Sequence, residues 1–337
     1  MRCGVTGPSA CAACATPEIW KSRESLDKSR ACASHDGRMK TASWPGIVLA
    51  LSAAVLWGTT GTAQHFAPAR ISPVWIGALR LAIAALCFAL LVAVTERGRG
   101  VRPRATGLWR RQLLAGACIA VYNLAFFAGV RLAGVAVGTT IAIGSGPLFA
   151  GAAQALITHR PPVALWWLGT ALAIAGGAAI ALGNGGVAPA DATGLLLCLT
   201  AGLSYAIYTL TAKSLSTHAS PARASLWVFG TAAVIALPAA WLIAPSGAVD
   251  LVAAGSRGWL VVAWLGVMAT GLSYLLFSSA LRFISAATGV ALAMGEPLTA
   301  FTLAVLVLGE PLRASGLVGI GLILAGLVLV VTGERRS

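Results

Sequence analysis

Charged side chains are scarce in this sequence of 337 residues. Asp, Glu, Lys and Arg make up 10% of the chain, whereas apolar residues make up 58%. An ordinary soluble domain carries about 25% charged residues, enough to give it a polar surface. So few charges cannot cover a globule of this size, and the composition therefore indicates an integral membrane protein.

Motifs for nucleotide binding and for hydrolysis are also missing. No glycine-rich Walker-type loop occurs, which argues against a nucleotide-driven pump. Residues 202–205 and 271–274 both read Gly-Leu-Ser-Tyr, the start of a nucleophile elbow, but neither has the second glycine. A base is missing too, because the histidines beyond the N-terminal tail stand at or beyond the predicted membrane edges: His65, His159 and His218. We therefore predict no enzyme, no catalytic residues and no cofactor.

Residues 1–43 form a basic tail that contains four of the seven cysteines. Cys11 and Cys14 have the spacing of half a zinc site, but no second Cys or His pair follows, so we predict no bound metal. The tail mixes charges with small residues and lacks the apolar core of a signal peptide, and we expect it to be disordered. A short basic run opens at Met39, which makes Met39 an alternative start of translation.

Ten apolar runs of about twenty residues follow the tail. Each is long enough, at ~1.5 Å per residue, to cross a hydrocarbon core of ~30 Å as a helix. The predicted spans are 45–66, 73–94, 111–131, 134–157, 163–183, 193–212, 222–244, 258–281, 285–308 and 314–333.

The positive charges are distributed unevenly about these spans. Nineteen Lys and Arg residues lie on the side of the two termini and four on the other side. Because positive residues are retained in the cytoplasm, we predict that both termini are cytoplasmic and that the protein lies in the cell (inner) membrane. The net charge of +14 is then mainly a topology signal, and it needs no nucleic acid as a partner. Only Arg80 remains unassigned, because it stands within span 2.

The chain repeats itself at an offset of about 150 residues. Chance matches among Ala, Leu and Gly are common in such a composition, but prolines in register are not. Three prolines recur in this way: Pro73, Pro147 and Pro161 correspond to Pro221, Pro297 and Pro311. The chain is therefore a duplicated five-span unit.

Five spans per unit is an odd number, so the second unit enters the membrane from the opposite side. The sequence thus predicts an all-α integral membrane protein of ten transmembrane helices, arranged as two inverted five-helix repeats. The predicted divisions are a tail at 1–43, repeat 1 at 44–184, repeat 2 at 185–333 and a cytoplasmic C-terminus at 334–337.

Inverted repeats are typical of secondary transporters. In such proteins the substrate binds near mid-membrane between the repeats, and alternating access comes from rocking one half against the other. We predict a secondary transporter for a small molecule on this basis. A channel or facilitator without coupling, and less readily a membrane-embedded enzyme, are the alternatives.

Glu296, followed by Pro297, stands near the middle of span 9. A charge at that depth costs at least ~2.5 kcal/mol by insertion scales, so it indicates a functional site by default. Glu296 is interpreted as a proton-coupling carboxylate or an ammonium-binding group, and the alternative is a structural acid bonded to backbone freed by the proline. The matching stretch of repeat 1 has Gly146 and Pro147, without the acid. Pro147 and Pro297 mark the spans most expected to kink and line the path.

Arg80 comes within a few ångströms of the level of Glu296 when depth is counted by helical rise. It is either an anchor for a substrate carboxylate or a fixed strut that pairs with Glu296 or a helix end. Polar and aromatic residues at similar depth are the other candidates for the translocation site: Trp57, Tyr122, Asn123, Tyr205, Tyr208 and Tyr274. Ordinary core packing is the alternative for the aromatic residues, and a tie between two helices is the alternative for Asn123.

These features resemble the paired EamA domains of the drug/metabolite transporter superfamily. The resemblance rests on Trp57–Gly58, on Arg80 between two leucines, on Glu296–Pro297 with the helix end Gly309–Pro311, and on a glycine-rich last span. It implies a ten-helix transporter, usually an exporter of amino acids or other small metabolites and often linked to protons. We expect a monomer or a homodimer. Repeat 1 departs from the pattern, because Gly146 stands where the family commonly has Glu.

Overall fold

The computed structural model describes residues 43–67, 72–97, 108–183, 191–246 and 255–336. Nearly all of the predicted tail, with Met39 and the cysteines before it, lies outside these ranges. The described part contains ten helices that are long and apolar enough to cross a membrane, which confirms the predicted fold class. They are α1 Ser43–His65, α2 Pro73–Thr95, α3 Leu108–Ala133, α4 Val135–Thr158, α5 Ala164–Gly183, α6 Ala192–Leu215, α7 Pro221–Ile243, α8 Gly255–Ala280, α9 Ala286–Leu308 and α10 Ala314–Arg336.

Equivalent helices of the two repeats begin and end in similar ways. Pro73 and Pro221 open α2 and α7, where the missing N–H of proline is not needed for a helical hydrogen bond. His159 and Gly309 end α4 and α9 in the left-handed conformation, with φ of 54° and 71°. Glycine adopts this conformation without strain, whereas histidine does not. The backbone of this helix end is therefore kept in repeat 1 even though its glycine is not.

Two antiparallel pairs, α2 with α7 and α5 with α10, join the repeats through equivalent helices. In α5 and α10 the contact is made by glycines. A Cβ built on Gly169 would lie 2.6 Å from the carbonyl oxygen of Gly326, and one on Gly176 would lie 2.5 Å from that of Gly319. Gly169 corresponds to Gly319 and Gly176 to Gly326 in the repeat, so each contact is the two-fold mate of the other. This exchange is the signature of inverted repeats.

The remaining helices, α1, α3, α4, α6, α8 and α9, make up the middle of the bundle. α6 packs against both α3 and α4, and α1 packs against α9 through Ala54 and Gly58. We call the end of the bundle where α1 begins and α10 ends the terminal face, and the other end the opposite face. The terminal face also holds the turn between α8 and α9.

Two helices of repeat 2 change type near their middle. In α8 the residues Val267–Leu272 form a π-helical turn, and in α9 the residues Ala293–Gly295 form a 3₁₀ turn directly before Glu296 and Pro297. The equivalent part of α4 is α-helical throughout, including Pro147. Irregular turns of this kind often mark functional sites in helices.

The glycine contact between α5 and α10 gives a first prediction. We expect Gly319→Ala to lower the stability of the folded protein by about 1–3 kcal/mol, because the new methyl group would meet the backbone of Gly176. Gly321→Ala is the control, since a Cβ there has no atom within 4 Å. Thermal unfolding of both variants in detergent measures the difference, and equal unfolding temperatures would contradict the packing described here.

Candidate functional site

Glu296 marks the point at which the surroundings of α9 change. All ten residues of Ala286–Gly295 are buried, whereas Phe301 is the one buried residue of Glu296–Leu308 in this part of the structure. Glu296 itself is half-buried. Glu296 thus lies at the boundary between a buried half and a more exposed half of the helix.

Gly58 brings α1 directly against the backbone of Glu296. A Cβ built on Gly58 would lie 2.7 Å from the carbonyl oxygen of Glu296 and 2.5 Å from the Cβ of Thr299. Glycine is the residue that permits so close an approach of two helices. The neighbouring residue, Trp57, is 6% exposed and points into the middle of the bundle.

Trp57 belongs to a cluster of aromatic side chains that includes all four tyrosines of the chain. The rings of Trp57, Tyr274, Tyr208 and Tyr205 form a closed circle of contacts. Their centroid separations, in that order around the circle, are 5.1, 5.9, 5.8 and 6.4 Å. Tyr122 extends the circle, with its ring centroid 5.3 Å from that of Tyr205. Residues from α1, α3, α6 and α8 therefore meet at one place.

Arg80 brings a positive charge to the same place. Its charge acts on Glu296, Tyr122 and Tyr274, so the four side chains share one electrostatic environment. Within the described ranges its guanidinium forms no ion pair, and its buried Nε has no hydrogen-bond partner. Arg80 and Glu296 are therefore neighbours without being locked to one another.

Two further buried polar atoms in this region lack a partner among the described residues, the indole Nε1 of Trp57 and the hydroxyl of Tyr205. Buried polar groups are hydrogen-bonded in the great majority of cases, because an unmade bond costs free energy. Three unpartnered groups on Trp57, Arg80 and Tyr205 thus form a set of polar contacts that a bound molecule could complete. We call these residues together with Glu296, Tyr122, Tyr208 and Tyr274 the central site.

Asn123 is near the central site but has a bond of its own. Its Nδ2 donates to the carbonyl oxygen of Gly77 at 3.2 Å, and this bond ties α3 to α2. Pro147 is buried in α4, and a Cβ on the preceding Gly146 would lie 3.8 Å from the ring of Tyr205. Pro297 directly follows Glu296 and is half-buried. The structure thus brings all the predicted site residues to the middle of the bundle, with Asn123 engaged between two helices.

Sequence reasoning missed the π-helical turn of α8 and a polar cluster at the terminal face. The turn contains Thr270 and is followed directly by Ser273, and the hydroxyls of these two residues donate to the carbonyl oxygens of Leu265 at 2.8 Å and Ala269 at 2.7 Å. It lies in α8 just before Tyr274. The sequence does place Ser, Thr and Gly residues in the middle of this span. Such residues are equally common where two helices pack closely, so they do not predict a π-helical turn.

The polar cluster at the terminal face is built on Lys213 and Glu334. Both residues are half-buried and bond to the turn between α8 and α9. Among the residues that the structure describes, no three His, Cys, Asp or Glu side chains come close enough together to hold a metal ion.

Comparison with known proteins identifies a family whose model matches this chain twice, once in each repeat. The model of the EamA-like transporter family matches residues 44–182 and again 192–332. This chain belongs to the EamA-like transporter family. As an EamA-like transporter it is an integral membrane protein with a small-molecule substrate.

Two curated relatives cover nearly the whole of this EamA-like transporter. It is 36% identical over 287 residues to the uncharacterized transporter YwfM of Bacillus subtilis, across 85% of this chain and 94% of that one. It is 30% identical over 307 residues to the threonine/homoserine exporter RhtA of Escherichia coli K12, across 87% and 94%. A crystal structure with 17% identity superposes with a TM-score of 0.73 and covers 87% of this chain and 99% of that one, which shows the fold alone.

The close approach at Gly58 gives a second prediction. We expect Gly58→Ala to impair transport and to lower the unfolding temperature, because its methyl group would push α1 away from Glu296. Gly61→Ala, one turn along the same helix, is the matched control, since nothing lies within 4 Å of its Cβ. Transport and unfolding of the two variants should be measured side by side. If Gly58→Ala behaves like Gly61→Ala in both assays, the contact does not position Glu296.

Proposed function

We propose that the protein is a proton-linked exporter of amino acids across the cell membrane, working by alternating access. In this proposal Arg80 binds the carboxylate of the substrate, and Glu296 either exchanges a proton or holds the ammonium group. The observation that carries the proposal is that Arg80 lies within electrostatic reach of Glu296 while its buried Nε has no hydrogen-bond partner among the described residues.

A zwitterion fits this arrangement better than a molecule with a single charge. The guanidinium of Arg80 offers a planar fork of donors that matches a carboxylate, including the free Nε. The aromatic faces of Trp57 and the tyrosines attract an ammonium group, since the faces of such rings are negative. Glu296, when it is ionised, adds a negative charge at the same place.

The relatives support this substrate class. RhtA is named as an exporter of threonine and homoserine, two small amino acids, and its alignment spans 87% of this chain. The excess of Lys and Arg at the side of the termini supports a cytoplasmic location for both, which makes the terminal face the cytoplasmic face.

Removal of the Arg80 charge should weaken binding selectively for substrates that have a carboxylate. In proteoliposomes, we expect Arg80→Met to raise the KM for threonine counterflow by about 10-fold to 100-fold, the effect of losing a charge-assisted hydrogen bond. The inhibition constant of threonine amide, which lacks the carboxylate, should change little. Arg131→Met is the matched control, because Arg131 is exposed at the end of α3.

Two outcomes would count against an anchor at Arg80. An equal loss of affinity for threonine and for its amide would make Arg80 a strut. An absence of counterflow in the unmodified protein, across a broad panel of amino acids, would reject the substrate class itself.

Neutralisation of Glu296 should separate exchange from uphill transport. If Glu296 carries the coupled proton, Glu296→Gln should still exchange labelled for unlabelled threonine but should no longer concentrate it in response to a pH gradient. Glu310→Gln is the control, since Glu310 is exposed at the helix end that follows α9. A Glu296→Gln protein that concentrates substrate with an unchanged pH dependence would disprove the proton role, and loss of exchange would assign Glu296 to the ammonium group.

A further inference from the structure

The seam between α4 and α9, the two helices that carry Pro147 and Pro297, is closed on its terminal side. α4 packs against Ala286–Leu292, the first segment of α9. A Cβ built on Gly146 would lie 3.4 Å from Cγ1 of Val290. Nearer to the terminal face, Oε1 of Gln154 accepts a hydrogen bond from the backbone N–H of Ala287 at 3.2 Å.

Lys213 holds the turn between α8 and α9 from one side. This residue stands at the end of α6, and its Nζ donates to the carbonyl oxygens of Leu281 at 2.6 Å and Ile284 at 2.9 Å. Leu281 is the C-cap of α8, and a cation at a helix C-terminus is favoured by the helix dipole, whereas Ile284 lies in the turn just before the N-cap of α9. Lys213 therefore restrains the end of α8.

Glu334, near the end of α10, holds the same turn from another side. Its Oε1 accepts from the backbone N–H of Ser285 at 2.7 Å, while its Oε2 accepts from the hydroxyls of Ser285 at 2.9 Å and Thr288 at 2.6 Å. The Thr288 hydroxyl also accepts from Nε1 of Trp166 in α5 at 3.1 Å. Glu334 thus binds the start of α9 and links it to repeat 1. The charges of Lys213 and Glu334 also act on each other.

The opposite face has no copy of this arrangement in the sequence. At the positions that the repeat makes equivalent, Val135 replaces Ser285, His65 replaces Lys213 and Asn184 replaces Glu334. The turn between α3 and α4 therefore has neither the lysine nor the carboxylate. Because the repeats share their backbone plan, this difference in side chains makes the two faces differ in how firmly each can be closed.

We propose that the turn between α8 and α9 is the cytoplasmic gate, and that Lys213 and Glu334 are the residues that hold it shut. The inference rests on the proposed function, since a gate that opens to load an exporter presupposes alternating access. Opening moves the start of α9 away from α4 and exposes Val290 to the cytoplasm. Loss of the hydrogen bonds that Lys213 or Glu334 makes to this turn shifts the equilibrium of the protein toward the open state.

A thiol reporter in the seam tests the gate without requiring a substrate. In a background with all seven cysteines replaced by alanine or serine, Val290→Cys is labelled by a membrane-impermeant maleimide in inside-out vesicles. We expect Lys213→Met or Glu334→Gln to raise the labelling rate about tenfold, as the loss of one charge-assisted bond would do. Thermal unfolding of each variant confirms that it is folded.

The matched control is a second polar bridge at the same face. Glu96, after α2, forms an ion pair with Arg223 and accepts a hydrogen bond from the hydroxyl of Ser220 at 2.7 Å. Glu96→Gln should leave the labelling of Val290→Cys unchanged, because this bridge joins α2 to α7 and does not touch the seam. No rise in the Lys213 and Glu334 variants, or an equal rise with Glu96→Gln, would overturn the proposal.

A disulfide across the seam provides a measurement in a protein that keeps both gate residues. The pair Gly146→Cys with Val290→Cys should form a bond, since the two side-chain positions are in contact. We expect oxidation to abolish threonine counterflow and dithiothreitol to restore it, whereas the single variants stay insensitive. Full counterflow in the oxidised pair would overturn the gate. Labelling reports on the gate even if threonine is not a substrate, so failure of the gate and failure of the proposed function give different results.

Discussion

Backbone contact between glycines is the interaction on which the rest of this architecture depends. Within a bilayer, lipid tails are as apolar as leucine, so helices gain little by hiding apolar side chains and associate through close packing instead. Gly169 against Gly326, and Gly176 against Gly319, let α5 and α10 touch along their backbones. Close packing at a glycine recurs at Gly58, where the helix that carries Trp57 lies against the backbone of Glu296. Packing notches thus decide where the polar groups of the central site meet.

Tight pairing between the repeats limits how the protein can move. The α2–α7 and α5–α10 pairs each join one repeat to the other, and α2–α7 is tied near both faces. One tie is the Glu96–Arg223 bridge, and the other is the hydrogen bond from Nε1 of Trp75 to the carbonyl oxygen of Ala244 at 2.8 Å. If whole repeats rocked against each other, the contacts within the α2–α7 and α5–α10 pairs would have to break. Bending of α9 at its 3₁₀ turn and movement of α4 leave them in place, which favours motion inside the bundle.

The sequence was sufficient for the ten spans and the duplication, because both depend on length and spacing. Counting helical rise predicts one level for Arg80 and Glu296, and in the structure Arg80 lies within electrostatic reach of Glu296. The polar cluster formed by Lys213 and Glu334 at the terminal face could not be predicted from length and spacing. Its bonds run to backbone and hydroxyl groups 46 to 71 residues away, and a charge near a membrane edge has the same pattern whether it is solvated or bonded.

The asymmetry of charge between the repeats has a physical reason in the geometry of the central site. Gly146 corresponds to Glu296, and a side chain there would start 3.8 Å from the ring of Tyr205. A second carboxylate would then face the same aromatic cluster, and two like charges in one low-dielectric site disfavour each other. Arg80 is likewise unmatched, because its equivalent, Val228, is buried in the core. Repeat 1 supplies the basic group of the site and repeat 2 the acidic group, an arrangement that the zwitterionic substrate proposed above would require.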